Sequence, residues 1–179
     1  MSFCSMDHLE EKVRLRKEYR KLRKAVTTVA DAAQMLLQNT ISILSFGNHD
    51  IVSGYIPIDG EIDVLPLMNF ISKTSVVLVP EVKKDSRMLT FRRWFSGINE
   101  LGEALSPNIL LIPLVAFDRR LYRLGFGGGY YDYTIEHLKR RGQCKCVGIA
   151  YDLQLCANLP VCEHDQKLDL VITEKGIYS

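Results

Sequence analysis

Ile109-Leu-Leu-Ile-Pro113, continued by Leu114-Val-Ala-Phe117, is an apolar stretch in which no polar residue alternates. A strand with one face in water alternates, whereas one covered on both faces does not. Ser75 to Pro80 has the same character, so two strands are expected inside a sheet clothed by helices on both sides. Downstream, Tyr130 to Arg141 carries Ile135 and Leu138 at helical spacing and is followed by strands at Lys145 to Tyr151 and Leu168 to Thr173. Upstream, helices are expected at Asp7 to Lys24, Ala30 to Leu37 and Glu61 to Ser72, the last with Pro66 early, where a missing amide is tolerated. Strands are expected at Ile41 to Phe46, Ile51 to Ile56 and Leu89 to Trp94, with Gly47, Asn48 and Asp50 as turn residues between the first two. Alternating helices and buried strands make this an α/β chain, a three-layer αβα sandwich around a mostly parallel sheet, with residues 1–179 as a single domain.

The stretch Ile109 to Phe117 falls well short of the roughly 20 residues that span a bilayer, and with Asp7, Glu10 and Glu11 in the first dozen residues and no apolar core there, a secretory leader is not expected. A cytoplasmic protein without membrane attachment is expected. The cysteines, Cys4, Cys144, Cys146, Cys156 and Cys162, show neither paired zinc spacing nor a disulfide framework, and are read as free thiols.

Net charge is +2, yet between Lys12 and Lys24 there are eight basic residues opposed by Glu18 alone. On the first helix Leu15, Tyr19, Leu22 and Val26 form an apolar stripe, with Lys12, Arg16, Arg20 and Arg23 as a cationic stripe beside it. Such a stripe can border a cleft, or it can be a solvated helix face. A nucleic-acid role for this helix is disfavoured because the remainder of the chain is near neutral and offers no second basic surface.

Between the apolar strand and the helix lies Asp118-Arg-Arg-Leu-Tyr-Arg-Leu-Gly-Phe-Gly-Gly-Gly-Tyr-Tyr-Asp132. Gly125, Gly127, Gly128 and Gly129 remove side chains that would keep the backbone from an anion, and the helix beginning near Tyr130 presents unpaired amides. The stretch is not a Walker A loop, since no Lys-Ser/Thr pair follows. Nor is it a dinucleotide fingerprint, since Tyr130 stands where a third glycine is required. The glycines could serve only a tight strand-to-helix connection; Arg123 and Asp132 flanking them favour a polyphosphate with a magnesium ion. Asp118 could equally hold the arginine-rich turn.

The block Arg123 to Asp132, preceded by Val115-Ala-Phe-Asp118, resembles the signature of the 5-formyltetrahydrofolate cyclo-ligase family. Three further blocks agree in order: Lys12 to Arg16, Tyr55 to Asp63, and Leu159 to Asp165 followed by Leu168 to Glu174. The resemblance implies an ATP-dependent ligase that closes 5-formyltetrahydrofolate to 5,10-methenyltetrahydrofolate, releasing ADP and phosphate through a phosphorylated formyl group, with ATP and Mg²⁺ as cofactors. It implies that Lys12 and Arg16, together with Arg123, Leu124, Gly125, Phe126, Gly127, Gly128, Gly129, Tyr130 and Tyr131, form the nucleotide site. Arg123 and Tyr131 are the catalytic candidates. Ile56, Glu61 and Tyr131 would meet the folate, and Asp132 and Asp169 would hold the metal. Glu61 could also be a helix-terminal acid, and Trp94 either a stacking partner for the pterin or core. His164 and Asp165 fall in the tail motif without a catalytic assignment. The partner is a small-molecule folate, possibly polyglutamated, with no nucleic acid and no membrane, and a monomer is expected. Ser96 to Pro107 is shorter than the family's corresponding stretch and lacks its Glu-Pro: either this chain has lost part of that pocket wall, or the numbering closes over an additional loop, the second being the expectation.

Overall fold

A computed structural model describes residues 4–98, 100–142 and 144–179. The described residues form four α-helices: α1 (Met6–Lys24), α2 (Val29–Ile43), α3 (Leu65–Ile71) and α4 (Tyr130–Arg141). The strands of the main sheet are β1 (Ile51–Ser53), β2 (Val76–Glu81), β3 (Thr90–Arg93), β4 (Ile109–Pro113), β7 (Lys145–Ile149), β9 (Leu170–Ile172) and β10 (Ile177–Tyr178). They lie in the order β10-β9-β7-β4-β1-β2-β3. The five inner strands are parallel, and the two outer ones, β10 and β3, run antiparallel to their neighbours.

Both stretches singled out for their unbroken apolar character are inner strands. In β4, Ile109 to Ile112 are all buried, with Leu110 and Ile112 facing one layer and Ile109 and Leu111 the other. The layer beneath α2 and α3 contains Leu36, Leu67, Met68 and Ile71; the opposite layer contains Ile135 of α4 and Phe117. Each such fully buried side chain contributes roughly 1.5–3 kcal/mol. The αβα sandwich is therefore as the sequence suggests.

Strand order reverses between β1 and β4, which pair through Val52 with Ile109 and Ser53 with Leu110. In open parallel sheets the crevice at the carboxyl ends of such a pair is where ligands bind. The carboxyl end of β1 opens into Gly54 to Glu61. That of β4 opens into a small second sheet, β6-β5-β8, built from β5 (Ala116–Asp118), β6 (Arg123–Leu124) and β8 (Leu155–Cys156). The glycine turn follows β6 directly.

Several expectations are corrected. Ile41 to Phe46 is not a strand: α2 runs on to Ile43, its inner face fixed by fully buried Leu36 and by Thr40, whose hydroxyl donates to the Leu36 carbonyl at 2.7 Å. The third helix begins at Leu65, so Glu61 lies in the turn before it and has no helix-terminal role. Leu22 is exposed and Arg23 buried, the reverse of the expected stripe, because the helix docks with Arg23 facing inward. The full sequence has no omitted loop between Ser96 and Pro107, and residues 102–105 turn back onto β3: the Arg93 N–H donates to Glu103 O and the Leu105 N–H to Phe91 O. Finally, Cys4 and Cys162 are joined by a disulfide, leaving Cys144, Cys146 and Cys156 as buried free thiols. The joined pair is 158 residues apart in sequence, which spacing arithmetic does not see.

Candidate functional site

The cationic stripe of α1 is engaged by facing segments of the chain. The buried Lys12 ammonium lies 2.5 Å from Asp165 Oδ2, and the Arg16 Nε–H donates to Gly125 O at 2.9 Å. Arg20, Arg23 and Lys24 converge on the Asp59 carboxylate, Arg20 at 2.6 Å and Arg23 at 3.1 Å. Hydrogen bonds from Arg20, then from Lys24, hold the Asp59 carboxyl well below the usual range. Asp59 and Gly60 both take positive φ, 54° and 77°, so the turn that follows β1 is pinned against α1 in a conformation that places Glu61 inward.

Arg23 reaches deepest. Its side chain is wholly buried, donating to Leu114 O at 3.1 Å and to Asp59 O at 3.0 Å. Its guanidinium lies 5.1 Å from the centre of the Phe126 ring, with Arg20 5.5 Å from the same ring, so the glycine turn rests on the end of α1 through a cation–π contact.

The glycine turn itself is exposed from Phe126 to Gly129. Gly127 and Gly129 adopt φ of 108° and 67°, which a side chain would strain, and a Cβ on Gly127 would sit 3.4 Å from Arg16 Cζ. The backbone is thus held close to a guanidinium at the start of α4, as anion binding requires. Leu124 points into the core with Leu15 and Leu159, so only its backbone can face a ligand.

Arg123 is buried and bidentate in another direction: Nη1 donates to Gln166 O at 2.6 Å and Nη2 to Asp132 Oδ1 at 2.7 Å. The Gln166 N–H donates to the same oxygen at 3.0 Å. Asp132 is partly exposed, and among the described residues its second oxygen has no partner. Asp169 is exposed at the start of β9, where Oδ2 accepts from the Cys146 N–H at 2.6 Å; no hydrogen bond or shared partner joins it to Asp132. Asp118 is a structural residue. It is fully buried and accepts from Arg120, Tyr122 N and Leu159 N, which ties the arginine-rich turn to the C-terminal segment.

On the side of β1, Glu61 is buried. Oε2 accepts from the Ile58 N–H at 3.1 Å, and Oε1 is without a hydrogen bond, 3.7 Å from Arg23 Nη1. Burial pushes its carboxyl up, against the pull of the Ile58 amide and Arg23. The Tyr131 hydroxyl is likewise buried and unpartnered, and burial, then the nearby Glu61 carboxylate, pushes it up. Ile56 is half exposed just beyond β1, whereas Trp94 packs on the core at the far edge. A separate groove of about 270 Å³ on the α4 face, lined by Leu89, Phe91, Thr134 and Leu138, contains none of the expected residues.

The family model described as the 5-formyltetrahydrofolate cyclo-ligase family matches residues 8–174. The chain belongs to that family.

Among the cyclo-ligases of known sequence, those of Haemophilus influenzae and Mycoplasma pneumoniae are each 29% identical to it, over 87% and 92% of this chain and 92% and 99% of theirs. The match to the Escherichia coli cyclo-ligase is 42% identical but spans 40% of this chain and 38% of that protein. A solved 5,10-methenyltetrahydrofolate synthetase from Mycoplasma pneumoniae superimposes with a TM-score of 0.77, at 29% identity over 91% of this chain and 98% of that one. The synthetase of Aquifex aeolicus follows at 0.70, with 27% identity, covering 93% of this chain and 91% of its own. Membership places the chain in a family of ligases, within the same α/β architecture.

Around the cyclo-ligase signature the structure gives specific contacts to three residues that the sequence leaves without a site role: Arg23, Asp59 and Asp165. Asp165 was visible only as part of the tail motif, and its bond to Lys12 spans 153 residues. Of the α1 cations, Lys12 and Arg23 are buried and Arg16 is half-buried against Gly125, whereas Arg14, Lys17, Arg20, Lys21 and Lys24 stay exposed.

Proposed function

We propose that this chain closes 5-formyltetrahydrofolate to 5,10-methenyltetrahydrofolate at the expense of ATP. The observation that carries the reading is the pair of buried polar atoms without hydrogen bonds, Glu61 Oε1 and the Tyr131 hydroxyl, lying beside an exposed glycine turn backed by Arg16. A buried polar group without a partner costs about 1–3 kcal/mol, and a folate ring offers N–H donors for the carboxylate. The turn and Arg16, with Lys12 at the next turn of α1, suit the ATP phosphates.

The formyl oxygen of the substrate is a poor leaving group and its carbon a poor electrophile. Transfer of the γ-phosphoryl group to that oxygen gives an imidate-like phosphate. The folate N10 then attacks the carbon and gives up its proton, the C–O bond breaks, and the departing phosphate takes up that proton, leaving ADP and the methenyl product. The protein's part is alignment and charge neutralisation, for which no covalent nucleophile is needed. Glu61 orients the folate, Ile56 and Tyr131 border it, and Arg123 holds the Asp132 carboxylate and the Gln166 segment against the turn. Asp132 fits a magnesium ligand through its free oxygen. Asp169, one of whose oxygens accepts from the Cys146 N–H, would be the second carboxylate to hold the ion. The ion would supply charge neutralisation on the transferring phosphoryl group. We read the enzyme as a cytoplasmic monomer acting on folate alone or with a polyglutamate tail.

Phosphate release tests the reading: it is expected to depend on both ATP and 5-formyltetrahydrofolate and to be lost in Glu61→Ala. ATP cleavage indifferent to the folate would contradict it.

A further inference from the structure

Away from the glycine turn, Cys4, His8 and Cys162 bring three ligand atoms within 4.8 Å of one another. Cys4 immediately precedes Ser5, the N-cap of α1, and His8 follows one turn later, with its N–H donating to Ser5 Oγ at 3.3 Å. The chain therefore enters the helix so that two donors four residues apart share one side. Cys162 approaches from the C-terminal segment, its Cα 5.2 Å from that of Cys4. Both cysteines are partly exposed and His8 is open to solvent, so the group is reachable from outside.

We propose that, with both thiols reduced, Cys4, His8 and Cys162 bind one divalent cation of the zinc class. Two thiolates and an imidazole are the donor set such ions prefer, and the exposed fourth position can be filled by water. Reduction of the S–S bond takes two electrons from a phosphine, which leaves as its oxide, and two protons from water, giving two thiols; each thiol releases its proton as its sulfur takes the metal. Zinc–sulfur bonds of about 2.3 Å at a tetrahedral angle put two sulfurs roughly 3.8 Å apart. Rotation of two partly exposed side chains reaches that separation without moving the backbone. The site fastens the first turn of α1 to the segment whose Asp165 holds Lys12, one turn further along the same helix. The same pair of thiols thus joins these elements either covalently or through a metal, according to redox state.

Cobalt(II) is the probe. The chain, reduced with a phosphine and freed of it under nitrogen, is titrated with Co²⁺ and followed by thiolate-to-cobalt charge transfer and visible d–d absorption. One equivalent is expected to bind with both signals and to be displaced by Zn²⁺. Cys4→Ser and Cys162→Ser should lose the charge-transfer band, and His8→Ala should bind at least tenfold more weakly, with circular dichroism confirming that each variant is folded. Zn²⁺ should also raise the melting temperature of the reduced chain but not of Cys162→Ser. No absorption in the reduced chain, a band that survives in Cys162→Ser, or an undiminished affinity in His8→Ala would each overturn the three-ligand site.

Discussion

Arg23 Nη1 stands 3.7 Å from Glu61 Oε1, and that oxygen has no hydrogen-bond donor among the described residues. Arg23 thereby faces the carboxylate proposed to hold the folate while it also carries Phe126 of the glycine turn on its guanidinium. Arg23→Gln should raise KM for the folate at least tenfold, about 1.4 kcal/mol, and Arg23→Lys should recover part of it. Steady-state kinetics of both variants checks this. An unchanged folate KM in a folded Arg23→Gln protein would show that the pairing has no part in binding.

Glu61 and Asp59 should pull stability in opposite directions with pH. Burial raises the Glu61 carboxyl, so the native state holds its proton longer than the unfolded chain does, and stability falls as pH rises from the ordinary carboxylate range through the folded-state value. The Asp59 carboxyl is depressed by Arg20 and Lys24, so its contribution is present above the ordinary range and lost as pH falls below it. Urea unfolding at a series of pH values should show the first slope removed in Glu61→Gln. Asp59→Asn should remove the second and cost roughly 2–3 kcal/mol at neutral pH, because Arg23 is left buried without its carboxylate.

How far the sequence alone leads is clearest where it fails. Leu110, Leu111 and Ile112 declare β4 because burial on both faces leaves no room for a polar residue. The glycine turn is legible because positive φ at Gly127 and Gly129 needs glycine. Ile41 to Phe46 was misread as strand because a short apolar run has no period of its own, and what decides it is that Leu36 and Thr40 are already on the buried side of a helix. β6 is two residues long and exists only because Phe117 of β5 is beside it to pair with Arg123. Arg23 and Lys12 look alike in sequence, and only the docking of α1 sends one to Leu114 O and the other to Asp165.

Lys12, Arg16 and Asp165 should separate in nucleotide binding. Lys12→Ala and Arg16→Ala each remove a charge-assisted contact to phosphate, worth about 1.5–3 kcal/mol, and should raise KM for ATP roughly 10- to 100-fold with little change in KM for the folate. Asp165→Asn, which leaves Lys12 without its present partner, should change KM for ATP by less than either. Titration of the nucleotide into each variant tests the ranking.

Asp132 and Asp169 are distinguished by their surroundings. Asp132→Asn should lower kcat on the order of 10²-fold and raise the Mg²⁺ concentration for half-maximal rate. Asp169→Asn keeps an acceptor for the Cys146 N–H and should cost much less. Equal losses in both would show that the two carboxylates hold the ion equally.

The central claim is the ring closure itself. Absorbance at the methenyltetrahydrofolate band, followed after mixing the purified chain with 5-formyltetrahydrofolate, Mg²⁺ and ATP, is expected to rise, to require ATP, and to be abolished in Asp132→Ala. A flat trace from folded protein that binds ATP would contradict the assignment and leave a family member acting on a different substrate.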